Sequence, residues 1–423
     1  MLRKLFGALK FKDMRRKVLI VAVILFIFRL LANIPIPGVN HDALAQFFGS
    51  NQFFGFLNIF SGGALSNLSV AMLGLGPYIT GVIIMQLLTM IFPRLKEMYY
   101  EEGEAGKAKF NRYSRYLTVP LAASSGYGFL KLLSSQGVVG QFTTTQMFVN
   151  VLVIIAGSVF LVWLGELIDE QKIGNGTSIL IMAGIVSGLP IAIRNAFISY
   201  QPSDITTYIA FVVLALVVIA GIVMMNEGER KVPVSYARRV RGNKLYGGVS
   251  SYLPLRVGQA GVIPIIFAIS LLLFPQFIGQ IVTAFSTDLG MKINNFTSVI
   301  TNNQLVYGLL YFFLVFIFTY FYIGITFDPQ EIAKNLQRSG GFIPGIRPGE
   351  PTAIYLKSVV QRVTLFGATA LGLIAILPIV TQAITGTQVL TIGGTSILIV
   401  VAVALDMSKQ IESQVSVREY ENI

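Results

Sequence analysis

Apolar runs recur along the whole chain and are separated by short polar segments. A bilayer core of about 30 Å needs roughly 20 apolar residues per helix. The runs that approach this length cover 18–33, 68–90, 115–133, 147–168, 177–193, 206–225, 259–283, 304–327, 354–380 and 391–407. The pattern predicts an all-α membrane protein with ten transmembrane helices.

The third predicted span is the weakest, because it holds two serines, two glycines and Lys131. Charge placement supports it. With ten spans and a cytoplasmic N-terminus, 26 of the 32 Lys and Arg residues fall in cytoplasmic segments, and only Arg194 and Lys292 fall outside. Without the third span, the basic loops 226–258 and 328–353 would lie outside. We therefore expect a real span that faces other helices or water more than lipid, and cytoplasmic termini.

Ten spans divide into two sets of five. Because five is odd, a second five-span copy would begin on the opposite side of the membrane, so an inverted repeat is allowed. The expected organisation is a cytoplasmic N-terminal segment (1–17), a first half (18–193), a second half (206–407) and a cytoplasmic tail (408–423). No residue-level repeat is visible in the sequence.

Residues 34–67 leave the membrane on the outside, must re-enter from the outside, and contain no Lys or Arg. Their apolar run from Phe53 to Leu65 is too short to span. One interpretation is an amphipathic helix lying on the outer surface. The other is a short re-entrant helix packed inside the protein, where irregular backbone is tolerated at membrane depth.

Composition agrees with a membrane protein and gives no sign of catalysis. The chain is 54% hydrophobic and 12% charged, whereas soluble domains are about 25% charged. It has no cysteine, and His41 is its only histidine, so we expect no metal site and no cofactor. Only Glu166 and Asp406 are carboxylates within predicted spans, and both lie near cytoplasmic ends. This argues against a proton-coupled carrier, but not against a sodium-coupled one that uses backbone carbonyls.

Small residues and prolines mark three of the predicted spans. They occur at 74–79, 261–264 and 393–396. Pro and Gly bend helices, and small residues let helices approach closely. These stretches suit either ordinary helix packing or a bundle whose halves can part.

Two cytoplasmic loops, 226–258 and 328–353, are basic and also carry Gly and Pro turns and aromatic residues. Their charge can serve orientation alone. Their composition also predicts ordered loops that dock a large acidic or RNA-rich partner.

Seven stretches in order along the chain resemble the SecY family of protein-translocase channels. They are IPIPG (34–38), NIFSGGALS (58–66), PYITGVIIMQLL (77–88), WLGELIDEQKIGNGTSILI (163–181), LPLRVGQAGVIP (253–264), NLQRSGGFIPGIRPGEPTAIY (335–355) and GGTSILIVVAVALD (393–406). The resemblance implies two pseudo-symmetric inverted five-helix halves, hinged between the fifth and sixth spans. It also implies a lateral gate between the second and third spans and the seventh and eighth.

The function implied by the resemblance is a protein-conducting channel and not an enzyme. It would translocate unfolded secretory polypeptides across the bacterial cell (inner) membrane and release membrane-protein segments laterally into the lipid bilayer. The implied partners are SecE, commonly SecG, the motor ATPase SecA, the ribosome, and secretory and membrane nascent chains.

Site residues follow from the same motifs. The plug, within 55–66, comprises Phe56, Leu57, Asn58, Ile59, Phe60, Ser61, Gly62, Gly63, Ala64 and Leu65. The apolar pore ring comprises Leu75, Ile79, Thr177, Ile181, Ile266 and Ile399. The residues implied to dock the motor or the ribosome are Arg238, Arg239, Arg241, Lys244 and Arg347. The implied lateral gate includes Gln86 and Gly258.

Two positions depart from the family pattern. The family often has asparagine where this chain has Gly258, and usually has an aliphatic residue where it has Thr177. A ring-facing hydroxyl would favour water in the ring. Alternatively, the Thr177 hydroxyl bonds back to the carbonyl of Gly174 or Ile173, and its methyl faces the pore. Both departures bear on how tightly the channel closes.

Two other classes remain open at the level of sequence. A ten-span secondary transporter of a small solute would require an ion site and solute flux. A membrane scaffold would require no pore.

Overall fold

The computed structural model describes residues 11–36, 61, 63–100, 102–135, 137, 139–140, 142–198, 205–236, 239–241, 244–246, 250–285, 287–385 and 394–421. Their helices are α1 (Lys12–Leu31), α2 (Gly76–Ile91), α3 (Pro93–Tyr100), α4 (Gly103–Ser135), α5 (Thr144–Glu170), α6 (Gly176–Ile198), α7 (Ile205–Glu227), α8 (Ile263–Phe285), α9 (Thr287–Asn302), α10 (Gln304–Thr326), α11 (Pro329–Arg338), α12 (Glu350–Thr385) and α13 (Gly394–Glu421). The strands are β1 (Glu229–Tyr236), β2 (Arg239–Arg241), β3 (Lys244–Tyr246), β4 (Ser250–Arg256) and β5 (Gly341–Phe342).

A helix lies at each of the ten predicted spans, namely α1, α2, α4 to α8, α10, α12 and α13. Within the described residues, three stretches are long and apolar enough to cross a membrane: Thr144–Glu170, Gln304–Arg338 and Glu350–Leu377. A fourth is added if Gly76–Thr89 and Pro93–Tyr99, bent by 113°, count as one span. The all-α membrane class is therefore confirmed, and the count of ten remains a prediction.

The prediction of a helix from residue 68 is wrong, because α2 begins only at Gly76. Residues 63–75 form turns in which Leu68 and Gly74 have left-handed backbones, with φ of 40° and 55°. Pro77 lies in the first turn of α2, where a missing N–H costs nothing because no helical partner exists for it. The Gly-Pro pair therefore starts this helix and does not bend it.

The third span packs as its low hydropathy suggested. Helix α4 contacts α2, α5 and α8. A Cβ on Gly126 would lie 3.2 Å from Ile154 Cγ2, so the small residue lets α4 and α5 approach closely. Ser114 and Thr118 are buried, and their hydroxyls donate to carbonyls one turn earlier in α4. The expectation that this span faces other helices is confirmed.

The two basic loops form one small sheet, which the sequence did not predict. Strand β1 pairs antiparallel with β4 from the same loop and with β5 from the second loop, in the order β4-β1-β5. Strands β2 and β3 form a separate hairpin at the tip of the first loop. Beneath the sheet, Val232, Leu255 and Ile343 pack with Leu356 of α12 in one buried cluster. The sheet therefore rests directly on the helical bundle.

The main hydrophobic core draws on both predicted halves. Its buried residues come from α1, α5 and α6 as well as from α7, α8, α10, α12 and α13. Between the halves, α8 contacts α2 and α4, and α13 contacts α6. The halves are closed against one another.

Candidate functional site

Four of the predicted ring residues are buried in the main core. Leu75, Ile181, Ile266 and Ile399 are 7%, 5%, 8% and 0% exposed and belong to one buried apolar cluster. The turn before α2 carries Leu75, and α6, α8 and α13 carry the other three. Ile79 is half-buried and packs against the same cluster. Aliphatic side chains from four separate parts of the chain therefore belong to the same core, and two of them, Leu75 and Ile181, line one pocket.

Thr177 does not present a free hydroxyl to these residues. Its Oγ1 donates to Asn175 Oδ1 at 2.6 Å, and a Cβ on Gly165 of α5 would lie 3.5 Å from its methyl carbon. The predicted bond back to the Gly174 or Ile173 carbonyl is therefore wrong, and the effect of this hydroxyl on water in the ring stays a prediction. The hydroxyl bonds a side chain two residues earlier instead of a main-chain carbonyl, because the Asn175 side chain caps the start of α6 and also accepts from the Ser178 N–H at 3.0 Å.

The plug is only partly covered by the described residues. Phe56 to Phe60 and Gly62 lie outside them. The C-terminal end is described, and there Ser61, Ala64 and Leu65 are buried. Ser61 Oγ accepts from the Leu65 N–H at 3.0 Å. Burial at this end favours a segment packed inside the protein over one lying on its surface.

A small pocket joins the end of the plug to the ring. It is lined by Phe28, Ser61, Gly74, Leu75, Leu161, Leu180 and Ile181. Gly74 suits this place because its φ is positive, and a Cβ there would make only an ordinary contact of 3.6 Å with Ser61 Cα. The following turns are fixed by the Ile36 N–H to Leu68 O bond at 2.8 Å and the Val70 N–H to Ile34 O bond at 3.0 Å.

At the predicted lateral gate, α8 packs on α2 and α4. Gln86 of α2 is 8% exposed, and its Oε1 is a buried acceptor that has no hydrogen-bond partner among the described residues. Gly258 precedes α8 and contacts Asn226 at the end of α7. A Cβ at residue 258 would overlap Asn226 Oδ1 and lie 3.3 Å from its Cγ.

Of the predicted docking residues, Arg347 has the best-defined local backbone. It is exposed, on a turn between Gly345 and Gly349, whose φ values are 84° and 100°. Its carbonyl accepts from Thr352 Oγ1 at 2.8 Å. Arg239, Arg241 and Lys244 lie on the β2–β3 hairpin, and Arg238 lies outside the described residues.

Sequence reasoning missed several polar contacts between distant segments. Arg115 of α4 and Glu166 of α5 form an ion pair at 2.9 Å. Lys17 Nζ donates to Gln414 Oε1 at 2.9 Å, and Gln414 Nε2 donates to the Lys172 carbonyl, so one side chain joins α1, the turn before α6 and α13. The residues are up to 397 positions apart, and no sequence spacing could have indicated these pairs.

Lys409 of α13 makes a further contact of this kind. Its Nζ lies 3.0 Å from Glu227 Oε1 and donates to the Asn226 carbonyl at 3.0 Å. The end of α7 that contacts Gly258 is therefore also tied to α13.

These helices and their buried contacts define a multi-pass helical membrane protein. The SecY family profile matches residues 69–408. SecY subunits of the protein translocase from Streptomyces coelicolor (43% identical, 98% of each chain) and Mycobacterium leprae (41% identical, 100% of this chain and 99% of the relative) match over nearly their whole lengths. The chain belongs to the SecY family.

Solved structures agree on the fold. A protein-conducting channel superposes with a TM-score of 0.66 at 19% identity, covering 93% of this chain and 91% of the other. Sec61 in the canine ribosome–channel complex from the endoplasmic reticulum gives 0.63 at 18% identity, with the same coverage. The fold is that of the SecY and Sec61 channels.

Proposed function

We propose that this chain is the pore-forming subunit of a protein translocase and conducts unfolded secretory polypeptides across the cell membrane. The observation that carries the proposal is the burial of Leu75, Ile181, Ile266 and Ile399 in the main apolar cluster, with Leu75 and Ile181 lining one pocket beside Ser61 of the plug. A constriction of aliphatic side chains excludes water and ions at rest, and it deforms around a polypeptide. Such a seal needs no charged gate.

The surrounding elements take roles around that constriction. The plug segment ending at Ser61 and Leu65 closes the channel on the outer side. Separation of α8 from α2 and α4 opens a lateral path to lipid for apolar segments. Because the gate contact is between helices of the two halves, parting the halves opens the ring and the lateral path together.

The two basic loops carry the sites for cytoplasmic partners. Arg347 on its braced turn offers a guanidinium to a carboxylate or backbone carbonyl of a motor such as SecA. The basic β2–β3 hairpin suits the acidic surface of a motor or ribosomal RNA. The chain would be a channel subunit and not an enzyme. SecE and SecG would complete the complex, SecA would supply ATP hydrolysis, and both termini would lie in the cytoplasm.

Site-specific photocrosslinking tests the proposal. A photoreactive amino acid replaces Ile181 or Ile399, and a secretory chain is stalled during translocation. We expect adducts at both positions only while the chain is stalled. Phe313, exposed on α10, is the matched control and should give no adduct with a secretory chain. Equal labelling at all three positions, or labelling at Phe313 alone, would contradict the proposed path.

The comparisons give no support to the solute-transporter alternative. It predicts flux of a small solute through the idle protein and no adducts at Ile181 or Ile399, so the same reconstituted protein decides between the two functions.

A further inference from the structure

Gln414, near the end of α13, bonds two segments of the first predicted half. Its Oε1 accepts from Lys17 Nζ of α1 at 2.9 Å, and its Nε2 donates to the Lys172 carbonyl before α6. Met407, two turns earlier in α13, packs on the same turn, because a Cβ on Gly174 would lie 3.1 Å from Met407 Cγ. Helix α13 belongs to the second half, so these contacts cross the boundary between the halves.

The turn that receives Gln414 is fixed within the first half. Lys172 has a left-handed backbone with a φ of 57°, a conformation that residues with a side chain rarely adopt. Its N–H donates to the Asp169 carbonyl at 2.9 Å, and Asp169 Oδ1 accepts from the Gly176 N–H at 2.7 Å, so one residue of α5 holds both ends of the turn. A bond to the Lys172 carbonyl therefore acts on α5 and α6 together.

In the second half, the same stretch of α13 is joined to α7. Lys409 Nζ lies 3.0 Å from Glu227 Oε1 and donates to the Asn226 carbonyl at 3.0 Å. These two residues end α7 just before β1. The start of α6 and the end of α7 are therefore held by one helix on the side of the sheet. At their other ends, α6 and α7 are joined by the chain itself through residues 199–204.

Two of the ring residues lie close to this attachment along their helices. Ile181 follows Gly174 by seven residues, and Ile399 precedes Met407 by eight. With a rise of 1.5 Å per residue, both lie about 10–12 Å from the contact, measured along α6 and α13. A shift of α13 against the start of α6 would therefore move Ile399 relative to Ile181.

We propose that Gln414 forms a second, noncovalent attachment between the two halves, at the ends of α6 and α7 opposite to the chain connection 199–204. Two attachments at opposite ends of the same pair of helices define an axis along them. The halves part by rotation about this axis, which opens the contact of α8 with α2 and α4 while α13 stays on the start of α6. The inference rests on the proposed channel function and specifies how its halves move.

A disulfide across the attachment tests whether α13 stays on α6, since the chain has no cysteine of its own. Gly174→Cys with Met407→Cys suits a disulfide, because the Cβ of residue 174 would lie 3.1 Å from the atom that the sulfur replaces. The one closer atom, Ile179 Cδ1 at 2.9 Å, is the end of a flexible side chain. Gly126→Cys with Ile154→Cys, whose Cβ atoms would lie 3.6 Å apart within the first half, is the matched control.

Each full-length channel is reconstituted with SecE and SecA, and transport of a secretory chain is measured with the disulfide formed and after its reduction. We expect the 174–407 pair to transport equally well in both states, as the control pair does, because a bond on the axis does not oppose rotation about it.

The contribution of Gln414 is tested with Gln414→Leu, which removes both hydrogen bonds at similar size. Gln410→Leu, at an exposed position one turn earlier in α13, is the matched control. We expect Gln414→Leu to raise the idle conductance in planar bilayers by roughly two- to tenfold, the effect of losing one net hydrogen bond, and Gln410→Leu to leave it unchanged. Forming the 174–407 disulfide in the Gln414→Leu channel should restore the low conductance, and reduction should raise it again.

Three results would overturn the proposal. A 174–407 disulfide that stops transport until it is reduced, under conditions that leave the control pair active, would show that α13 leaves α6 when the halves part. Unchanged conductance in Gln414→Leu would show that this residue does not hold the resting halves together. A raised conductance that the disulfide does not lower would place its effect elsewhere. If the 174–407 pair does not fold, the conductance of Gln414→Leu against Gln410→Leu decides alone.

Transport by the unmodified chain tests the proposed function separately. The attachment is judged only from variants compared with that chain, so the two ideas can fail independently.

Discussion

The side chain of Asn226 occupies the position that a side chain on Gly258 would take. Residue 258 has no side chain, and the amide of Asn226 lies where a side chain would be. The main chain at this residue is tied to α13, because Lys409 Nζ donates to the Asn226 main-chain carbonyl at 3.0 Å and pairs with Glu227 at 3.0 Å. The departure from the family pattern at Gly258 therefore leaves no gap in front of α8, since a residue from the preceding helix fills it.

Restoring the family residue should therefore be harmful in this chain. We expect Gly258→Asn to destabilise the protein by about 1–3 kcal/mol, as overpacking does in a filled interior. Thermal unfolding in detergent measures the loss. Gly324→Ala is the matched control, because a Cβ there meets nothing within 4 Å. In the double variant with Asn226→Ala the loss should shrink, and strictly additive losses would contradict the shared space.

Thr177 should have little influence on leakage. Its hydroxyl is paired with Asn175 and its methyl packs toward Gly165. We expect Thr177→Val to leave the idle conductance in planar bilayers unchanged and to cost about 0.5–1.5 kcal/mol of stability through the lost hydrogen bond. Ile181→Ser, which puts a hydroxyl among the ring residues, should raise the conductance. A fall in conductance with Thr177→Val would show that the Thr177 hydroxyl faces the ring and favours leakage.

Arg347 should couple the channel to its motor. We expect Arg347→Glu to stop motor-driven secretion while the protein still inserts and assembles, because the exposed guanidinium is replaced by a repelling charge on the same braced turn. Lys334→Glu makes the same charge change at an exposed position of α11 and should secrete normally. The measurement is secretion of a reporter enzyme by the two variants. Equal defects would show that the loss comes from the change in charge and is not specific to Arg347.

Removing residues 57–66 should raise the idle conductance, because the described end of this segment lines the pocket next to Leu75 and Ile181. The chain has no cysteine, so Phe54→Cys can be labelled alone in intact cells, with exposed Asn33→Cys as the control for access from outside. We expect labelling at 33 only. Labelling at 54 together with unchanged conductance would place the segment on the outer surface.

The charge distribution predicts that both termini and the loop around Arg239 lie in the cytoplasm. A reporter that is active only outside, fused after Ile423, should be silent, and the same reporter placed in the segment containing Lys292 should be active. Activity after Ile423 would mean that the chain crosses the membrane an odd number of times.

The sequence was most informative where a physical pattern repeats. Apolar length located a helix at every predicted span, and the weak third span was recovered from charge. Boundaries depended on local backbone instead. Helix α2 starts at Gly76 because residues 63–75 turn back on the chain through bonds such as the one from the Val70 N–H to the Ile34 carbonyl.

Long-range pairing could not be predicted. Strand β5 has two residues, and it is a strand only because β1, about a hundred positions earlier, pairs with it. Helix α9 was missed since it is short and only half apolar. The motifs proposed the ring positions, but only the structure could show that Asn175 accepts the hydrogen bond of the Thr177 hydroxyl.

The pairing of Ser235 with Phe342 and of Tyr236 with Gly341 has a mechanical consequence. It joins the connection between α7 and α8 to the connection between α10 and α12, so the ends of four helices are linked through one sheet. A force applied at Arg347 would therefore act on β1 as well as on its own loop. Because β1 pairs with β4, the same force would reach the start of α8. A motor that pushes on this one arginine would therefore also move α8, the helix that faces α2 and α4.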